Sequence, residues 1–200
     1  MSKKAQPSQT EIIVTGFGGQ GIILAGRILG MSASIGDKKE STLVQAYGPE
    51  SRGGACNAQV IISDTPIHYP YVNTPKILVA MSQAGYDKFA PTLIADSVLL
   101  VDQDLVNPEN TVCDHYAIPA TRMAENLGNK MMANIIMLGF CTAITEAVSS
   151  RAAQDTIRQS VPKGTEDRNI EAFTKGFDYG LSTLKGRKQR AAGQTGAMAQ

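Results

Sequence analysis

A short apolar run leads directly into a glycine-rich loop and then into a longer apolar run near the start of the chain. Residues 11–21 read EIIVTGFGGQG, and GIILAGRILGMSASIG begins at the last glycine. Glycines spaced as G-x-G-x-x-G between two such runs favour a tight turn that joins a buried strand to a helix. The feature therefore predicts a strand, a turn and a helix in succession, which is how many α/β domains begin.

Strands and helices are expected to alternate along the rest of the chain. Runs rich in valine, isoleucine and leucine predict strands over 11–15, 40–46, 56–63, 76–81, 97–102 and 112–116. Longer runs predict helices over about 20–35, 83–93, 120–127, 129–149, 152–160 and 167–183. Strands with so little polar alternation suit a sheet covered on both faces. The predicted fold class is α/β: a single three-layer α/β/α domain with a Rossmann-like start and a mostly parallel sheet containing an antiparallel element.

Composition limits the setting in which this domain works. The domain is expected over 11–185, with an N-terminal tail over 1–10 and a flexible, polar C-terminal tail over 186–200. The net charge is +1, which indicates neither a nucleic-acid partner nor a membrane partner. Neither a secretory signal nor a membrane-spanning run is recognisable, so we expect a cytoplasmic protein. Three scattered cysteines and two histidines predict no metal site, and no side-chain arrangement predicts a catalytic acid or base.

The glycine loop raises the hypothesis of a dinucleotide site. Such a site needs an acidic residue at the end of the second strand, about 20 residues after the glycines, to bind the ribose. Glu40 has about this spacing but begins the expected strand 40–46. The next strand follows after the short segment YGPESRGG, and a parallel crossover needs a dozen or more residues. These two strands are therefore expected to be antiparallel if they are neighbours, and the dinucleotide hypothesis is weakened.

Two interpretations of the loop remain open. The glycines can simply permit a tight turn, or they can bring backbone N–H groups at a helix start close to an anion. The anion interpretation predicts that Gly16, Gly18, Gly19, Gln20 and Gly21 line a ligand site.

A second glycine-containing segment carries an arginine. Residues 46–60 read AYGPESRGGACNAQV, with Arg52 directly before Gly53 and Gly54. A guanidinium group suits a phosphate or a carboxylate, whereas a lone surface arginine more often forms a salt bridge. We therefore take Arg52 and Gly53 as candidate anion contacts only in combination with the first loop.

The segment 129–149, NKMMANIIMLGFCTAITEAVS, is apolar on nearly every side of the expected helix. Such a helix lies either at the centre of its domain or against another subunit. Both alternatives are open at this point.

Taken together, these segments resemble the gamma subunit of 2-oxoacid:ferredoxin oxidoreductases, and most closely the 2-oxoglutarate type. GFGGQG followed by YGPESRGG carries the resemblance, which continues through VIISDTPIHYPYVNTPKILVAMSQAGYDKF, NKMMANIIMLGFCTAI and RNIEAFTKGFDYG. These blocks cover most of residues 11–180 in the family's order.

The resemblance implies that this chain is one non-catalytic subunit of a larger cytoplasmic enzyme. By this resemblance the complex is expected to decarboxylate a 2-oxoacid, 2-oxoglutarate, with thiamine diphosphate, Mg²⁺ and iron–sulfur clusters of the 4Fe–4S type. It reduces ferredoxin and transfers the acyl group to coenzyme A. Alpha, beta and delta subunits are the expected partners. The phosphates of coenzyme A are the expected ligand of the predicted site residues, which are Gly16, Gly18, Gly19, Gln20, Gly21, Arg52 and Gly53. A pyruvate, branched-chain or indolepyruvate enzyme, a dinucleotide-binding oxidoreductase and a scaffold protein are the alternatives.

Overall fold

The computed structural model describes residues 9–47, 55–109 and 111–197. The strands are β1 Gln9–Phe17, β2 Glu40–Tyr47, β3 Ala55–Ser63, β4 Ile77–Ala80, β5 Val98–Asp102 and β6 Asp114–Ile118. The α-helices are α1 Ile22–Met31, α2 Gln83–Phe89, α3 Ala120–Asn126, α4 Ala133–Thr145, α5 Ser150–Ser160 and α6 Glu166–Ala197. A π-helical segment, Ser32–Gly36, continues α1, and 3-10 turns lie at Ala90–Thr92 and Lys130–Met132. Every predicted strand and helix is present, with shifts of a few residues at most of the boundaries.

All six strands form one mixed sheet in the order β2-β3-β1-β4-β5-β6. β1, β4, β5 and β6 are parallel, whereas β3 is antiparallel to both of its neighbours, β1 and β2. The antiparallel pairing of β2 with β3 confirms the expectation from their short connection. Because β3 separates β2 from β1, the chain departs from the parallel β-α-β repeat directly after α1.

Helices cover the two faces of the sheet unequally. Along β1, Ile12 and Val14 point into a core shared with α1, α3, α4, α5 and α6. Ile13, between them, points to the opposite face and packs with Tyr86 of α2. This alternation follows from the two-residue period of a strand. The result is the predicted three-layer arrangement, with α2 as the one α-helix of the described residues on the second face.

The apolar helix α4 lies at the centre of the first face. Residues 132–143 are all buried, and α6 packs across α4 on the side away from the sheet. Two glycines permit this close approach, since a Cβ at Gly139 would overlap the backbone of Phe173 and a Cβ at Gly176 would overlap that of Ile136. Of the two alternatives that the sequence left open, the central position is correct. The apolar surface of α4 is buried within the chain.

The last helix is longer than the sequence predicts. We expected it to end near residue 183, but α6 continues to Ala197, into the segment 186–200 that we expected to be a flexible tail. Arg187 lies in this additional part of α6. Its guanidinium group donates to the backbone oxygen of His115, pairs with Asp114 and lies 3.8 Å from the ring centroid of Tyr116. These contacts hold a polar stretch of α6 against β6.

Within the described part of the chain, no helix has both the length and the apolar composition that crossing a bilayer requires.

Candidate functional site

The sheet has a topological switch point between β1 and β4. These two strands are parallel neighbours, but the helix after β1 packs on the first face and the helix after β4 packs on the second. Diverging connections of this kind leave a crevice at the carboxyl ends of the strands, where open α/β sheets bind their ligands. The glycine loop 16–21 lies at this edge, together with Met81 and Ser82, which follow β4.

Three of the four glycines in the loop are required by the backbone conformation or the packing of the loop itself. Gly19 and Gly21 have φ angles of 95° and 72°, a region that other residues adopt at a cost. Gly16 is buried, and a Cβ there would overlap Oε1 of Gln20. The tight-turn interpretation is therefore sufficient for these three glycines, and an anion site must be argued from the N–H groups of the helix.

The Gln20 side chain links the loop to β4. Its Oε1 accepts a hydrogen bond from the backbone N–H of Phe17 at 2.7 Å, and its Nε2 donates to the backbone oxygen of Met81 at 2.9 Å. The side chain thus links the end of β1 to the residue that follows β4. The sequence predicts Gln20 as a candidate ligand contact, and in the structure both ends of its amide form hydrogen bonds within the protein.

The amino end of α1 has no acceptor from within the described residues. Gly21 caps the helix without a side chain, and no acidic residue lies in the first turn. The first backbone bond of the helix runs from Ala25 N–H to Gly21 O at 3.0 Å. The N–H groups before it, of residues 22–24, carry the positive end of the helix dipole. A negatively charged group placed beside this loop would meet several donors at once.

Asn134 holds the other end of the loop, and sequence reasoning missed it. It is 2% exposed near the amino end of α4, and its Nδ2 donates to Gly21 O at 3.0 Å. Its Oδ1 accepts from the backbone N–H of Ile135 at 2.9 Å. The only signal in the sequence is an asparagine inside an otherwise apolar helix, which predicts a buried hydrogen bond without naming its partner.

The strands on either side of the second predicted segment reach this edge of the sheet. Arg52 and Gly53, together with Glu50, lie outside the described residues. The flanking register is described: Tyr47 pairs with Cys56, and Ala55 pairs with Phe17. The connection between β2 and β3 therefore begins and ends at the same edge as the glycine loop, within about two strand spacings, or roughly 10 Å.

Glu40 lies at the opposite edge of the sheet. It pairs with Ser63, which in turn pairs with Gln9 at the start of β1. A carboxylate at the amino end of β1 is on the wrong side to bind a ribose whose phosphates lie at the loop. The geometry therefore disfavours the dinucleotide hypothesis for this residue.

A buried carboxylate, Asp102, lies at the end of β5 on the same edge as the loop. Its Oδ2 accepts from the N–H of Thr121 at 2.9 Å and from the Thr121 hydroxyl at 2.6 Å, and its Oδ1 accepts from Asp104 N–H at 3.2 Å. Burial raises the pKa of this carboxyl, although the bonds from Thr121 and Asp104 oppose the shift. These bonds fasten the amino end of α3 to β5. The hydrogen bonds of this carboxylate therefore give it a structural role.

The cysteines are dispersed in the fold as they are in the sequence. Cys56 and Cys141 are buried and Cys113 is half-buried, all as free thiols. Burial raises the pKa of each thiol, that of Cys141 to about 12. Among the described residues, no group of three or more histidine, cysteine or acidic side chains could hold a metal ion. This part of the chain does not fit an iron–sulfur cluster.

Comparison with known families gives a match over most of the chain. The family model described as pyruvate ferredoxin/flavodoxin oxidoreductase matches residues 11–179. That span begins two residues into β1 and ends inside α6. It includes both glycine segments and the whole sheet from Glu11 onward.

Individual relatives agree with this match. The chain is 48% identical to the 2-oxoglutarate synthase subunit KorC of Methanocaldococcus jannaschii, over 89% of this chain and 97% of the relative. It is 33% identical to the pyruvate synthase subunit PorC of Methanothermobacter marburgensis, over 81% of this chain and 92% of the relative. The ketoisovalerate oxidoreductase subunit VorA of Methanothermobacter thermautotrophicus is 32% identical over 89% of this chain, which spans 38% of that longer protein.

Solved structures agree in fold. The gamma subunit of a keto/oxoacid ferredoxin oxidoreductase from Geobacter sulfurreducens superposes with a TM-score of 0.77 at 38% identity, covering 86% of this chain and 99% of that chain. The 2-oxoglutarate:ferredoxin oxidoreductase from Magnetococcus marinus, solved with 2-oxoglutarate, coenzyme A and succinyl-CoA, has a TM-score of 0.80 at 20% identity. This chain covers 32% of that chain, and at such identity the likeness concerns the fold alone.

Proposed function

The chain belongs to the pyruvate ferredoxin/flavodoxin oxidoreductase family as a component of a 2-oxoacid:ferredoxin oxidoreductase, and we propose that it is the gamma subunit of an enzyme that acts on 2-oxoglutarate. The degree of identity supports this substrate. Three relatives named as 2-oxoglutarate synthase subunits are 45–48% identical to the chain, and a fourth, from Archaeoglobus fulgidus, is 30% identical. Relatives named for pyruvate or ketoisovalerate are 30–33% identical. A pyruvate or branched-chain enzyme is therefore the second candidate.

The expected partners are the alpha and beta subunits, a delta subunit and ferredoxin as the electron acceptor. Thiamine diphosphate with Mg²⁺ would supply the decarboxylation chemistry, and the iron–sulfur clusters would carry electrons one at a time. We assign these groups to the partner subunits, because the described residues of this chain offer no matching set of metal ligands. The contribution of this chain is then to bind and orient a substrate.

We infer that this substrate is coenzyme A, held by its phosphates at the glycine loop. The observation that carries the inference is the amino end of α1, which has neither a capping side chain nor an acid and lies at the switch point of the sheet. A phosphate there would gain about 0.3–1 kcal/mol from the helix dipole alone. Gly16–Gly21 would line it with backbone. Arg52 and Gly53 would complete the site from the adjoining connection.

Purification from the native source tests the assignment to a complex. We expect the chain to co-migrate with a thiamine diphosphate-binding partner and an iron–sulfur partner. The complex should reduce viologen when supplied with 2-oxoglutarate and coenzyme A, and much more slowly with pyruvate or 2-oxoisovalerate. A chain that purifies without such partners would support a scaffold function, and a faster reaction with pyruvate would transfer the substrate assignment to the second candidate.

Replacing Arg52 tests the binding site. Loss of one charge-assisted hydrogen bond costs about 1.5–3 kcal/mol, so Arg52→Ala should raise the coenzyme A requirement of the complex roughly 10- to 150-fold. Arg52→Lys should recover only part of the loss if the contact is bidentate. Arg27→Ala, which removes an exposed arginine of α1, is the matched control.

Rapid-mixing kinetics separate the two halves of this reaction. Decarboxylation and the first electron transfer precede the use of coenzyme A, so the Arg52 variant should retain both. If instead decarboxylation is lost while the coenzyme A dependence is unchanged, Arg52 acts in assembly or in another site.

A further inference from the structure

We propose that Gln20 and Asn134 are positioning residues, which hold the glycine loop in the one conformation that presents the N–H groups of α1 to an anion. The proposal rests on the proposed function, since it concerns how the coenzyme A site is kept in shape. Neither residue needs to contact the ligand. Each acts through the backbone of the loop.

Gln20 fixes the loop to the neighbouring strand. The loop leaves β1 at Phe17, and the Gln20 amide bonds both to that residue's N–H and to Met81 O beyond β4. One side chain thereby spans the loop and reaches the residue after β4. The absence of a Cβ at Gly16 provides the room, because a Cβ there would overlap the Gln20 amide oxygen. Since the amide is bonded at both ends inside the protein, its effect on a ligand is indirect.

Asn134 fixes the point at which α1 begins. Gly21 O accepts both the first helical hydrogen bond, from Ala25, and the Nδ2 donor of Asn134. The asparagine amide is itself held by the N–H of Ile135. Any side chain at position 21 would overlap Asn134. The peptide group that orients the first turn of α1 is therefore held by a buried residue of α4, 113 positions away.

The two anchors act at opposite ends of a very short loop, and its glycines would otherwise give it many conformations. An anion bound by several backbone N–H groups requires all of them to point to the same place. When the competent conformation is only partly populated, the apparent affinity falls by that fraction. Losing an anchor should therefore weaken coenzyme A binding without changing the groups that touch it.

The test uses the assembled complex, with Gln20→Met and Asn134→Ala as separate variants. We expect each to raise the KM for coenzyme A about 5- to 20-fold, through a reduced population of the competent loop. The kcat at saturating coenzyme A should change by less than about twofold. Gln103→Met is the matched control, because Gln103 is exposed directly after β5 at the same edge and its side chain makes no hydrogen bond with the described residues. It should leave the KM unchanged.

A further variant separates positioning from simple space filling. Gln20→Glu keeps the length and the acceptor for Phe17 but places a carboxylate oxygen against Met81 O, so we expect at least as large a rise in KM as with methionine. Recovery of the normal KM by glutamate would show that only the volume of the side chain matters. Amide exchange of residues 16–22 in the complex without coenzyme A should become faster in both Gln20 variants.

The outcomes distinguish this proposal from the one on which it rests. If Arg52→Ala raises the KM for coenzyme A but the Gln20 and Asn134 variants do not, the positioning proposal is wrong and the binding site stands. If loop exchange becomes faster with no change in any KM, and Arg52→Ala also has no effect, the site itself is misplaced.

Discussion

Two helices, α1 and α3, begin at the same edge of the sheet, but only the amino end of α3 is bonded to an acidic side chain. The N–H of Thr121, in the first turn of α3, donates to the buried carboxylate of Asp102. The first turn of α1 has no acceptor from the described side chains and no acid. Both helices carry the same kind of positive end, which favours a negative charge. In α3 the protein supplies that charge itself, and in α1 it does not.

The difference shows that a helix start at the carboxyl edge is not by itself a ligand site. Whether it can serve as one depends on what the neighbouring strand contributes. β5 ends in a carboxylate that reaches α3, whereas β4 is followed by Met81, whose backbone oxygen is taken by Gln20, and by Ser82, which caps α2. The amino end of α1 thus has no acceptor among the described side chains, whereas those of α2 and α3 each have one.

The largest effect on stability is expected at the amino end of α3, where Asp102 accepts hydrogen bonds. Asp102→Ala removes the acceptor of three donors, the N–H and hydroxyl of Thr121 and the N–H of Asp104, and should lower the free energy of unfolding by about 3 kcal/mol. Urea denaturation measures the loss. Asp104→Ala is the control, because its ion pair with Arg122 lies near the surface and should be worth about 1 kcal/mol or less. Equal losses in the two variants would show that the hydrogen bonds of Asp102 stabilise the fold no more than the Asp104–Arg122 ion pair does.

At the amino end of α1, Gly21→Ala should lower the free energy of unfolding by about 1–3 kcal/mol. The alanine would be strained at a φ of 72° and would also overlap Asn134. Gly19→Ala isolates the first cause, since its φ is 95° but no atom lies within 4 Å of its Cβ position. We therefore expect the smaller loss at position 19 in thermal or urea unfolding. A larger loss there would mean that the contact with Asn134 is unimportant for the loop.

A smaller effect is expected at α2, whose start is closed by a hydroxyl. Ser82 accepts a hydrogen bond from Gly85 N–H at 3.1 Å, so Ser82→Ala should reduce the free energy of unfolding by about 1 kcal/mol. Because this cap is not part of the proposed binding loop, the KM for coenzyme A in the complex should stay within about twofold of the unmodified value. A large rise in that KM would extend the site to α2.

The most selective comparison is the pH dependence of stability. Folding raises the pKa of Asp102 by burial, so its contribution is fully present below the pKa of an ordinary aspartate and is lost as pH rises through the raised value. The unfolding free energy of the wild type relative to Asp102→Asn should therefore fall over that range. Urea titrations at a series of pH values measure the difference. If it rises with pH instead, the N–H groups of α3 outweigh the burial of the carboxylate.

Local features of the sequence determined the kinds and order of the secondary structure. The apolar runs predicted all six strands, and the glycine spacing predicted the turn from β1 into α1. The short segment YGPESRGG was enough to predict that β2 and β3 are antiparallel, because chain length limits how a strand can return. Each of these inferences depends on residues close together in the chain, and the family resemblance rests on the same blocks.

Contacts between distant residues decided what sequence patterns could not. The partner of Gln20 is 61 positions away at Met81, and that of Gly21 is 113 positions away at Asn134. No periodicity encodes such pairs, since they arise only when the strands and helices pack. The same holds for the buried position of α4 beneath α6 and for the contact of Arg187 in α6 with Asp114 of β6. The sequence therefore predicted the glycine turn that leads into α1, and tertiary packing decided that Gln20 and Asn134 are the side chains that bond across it.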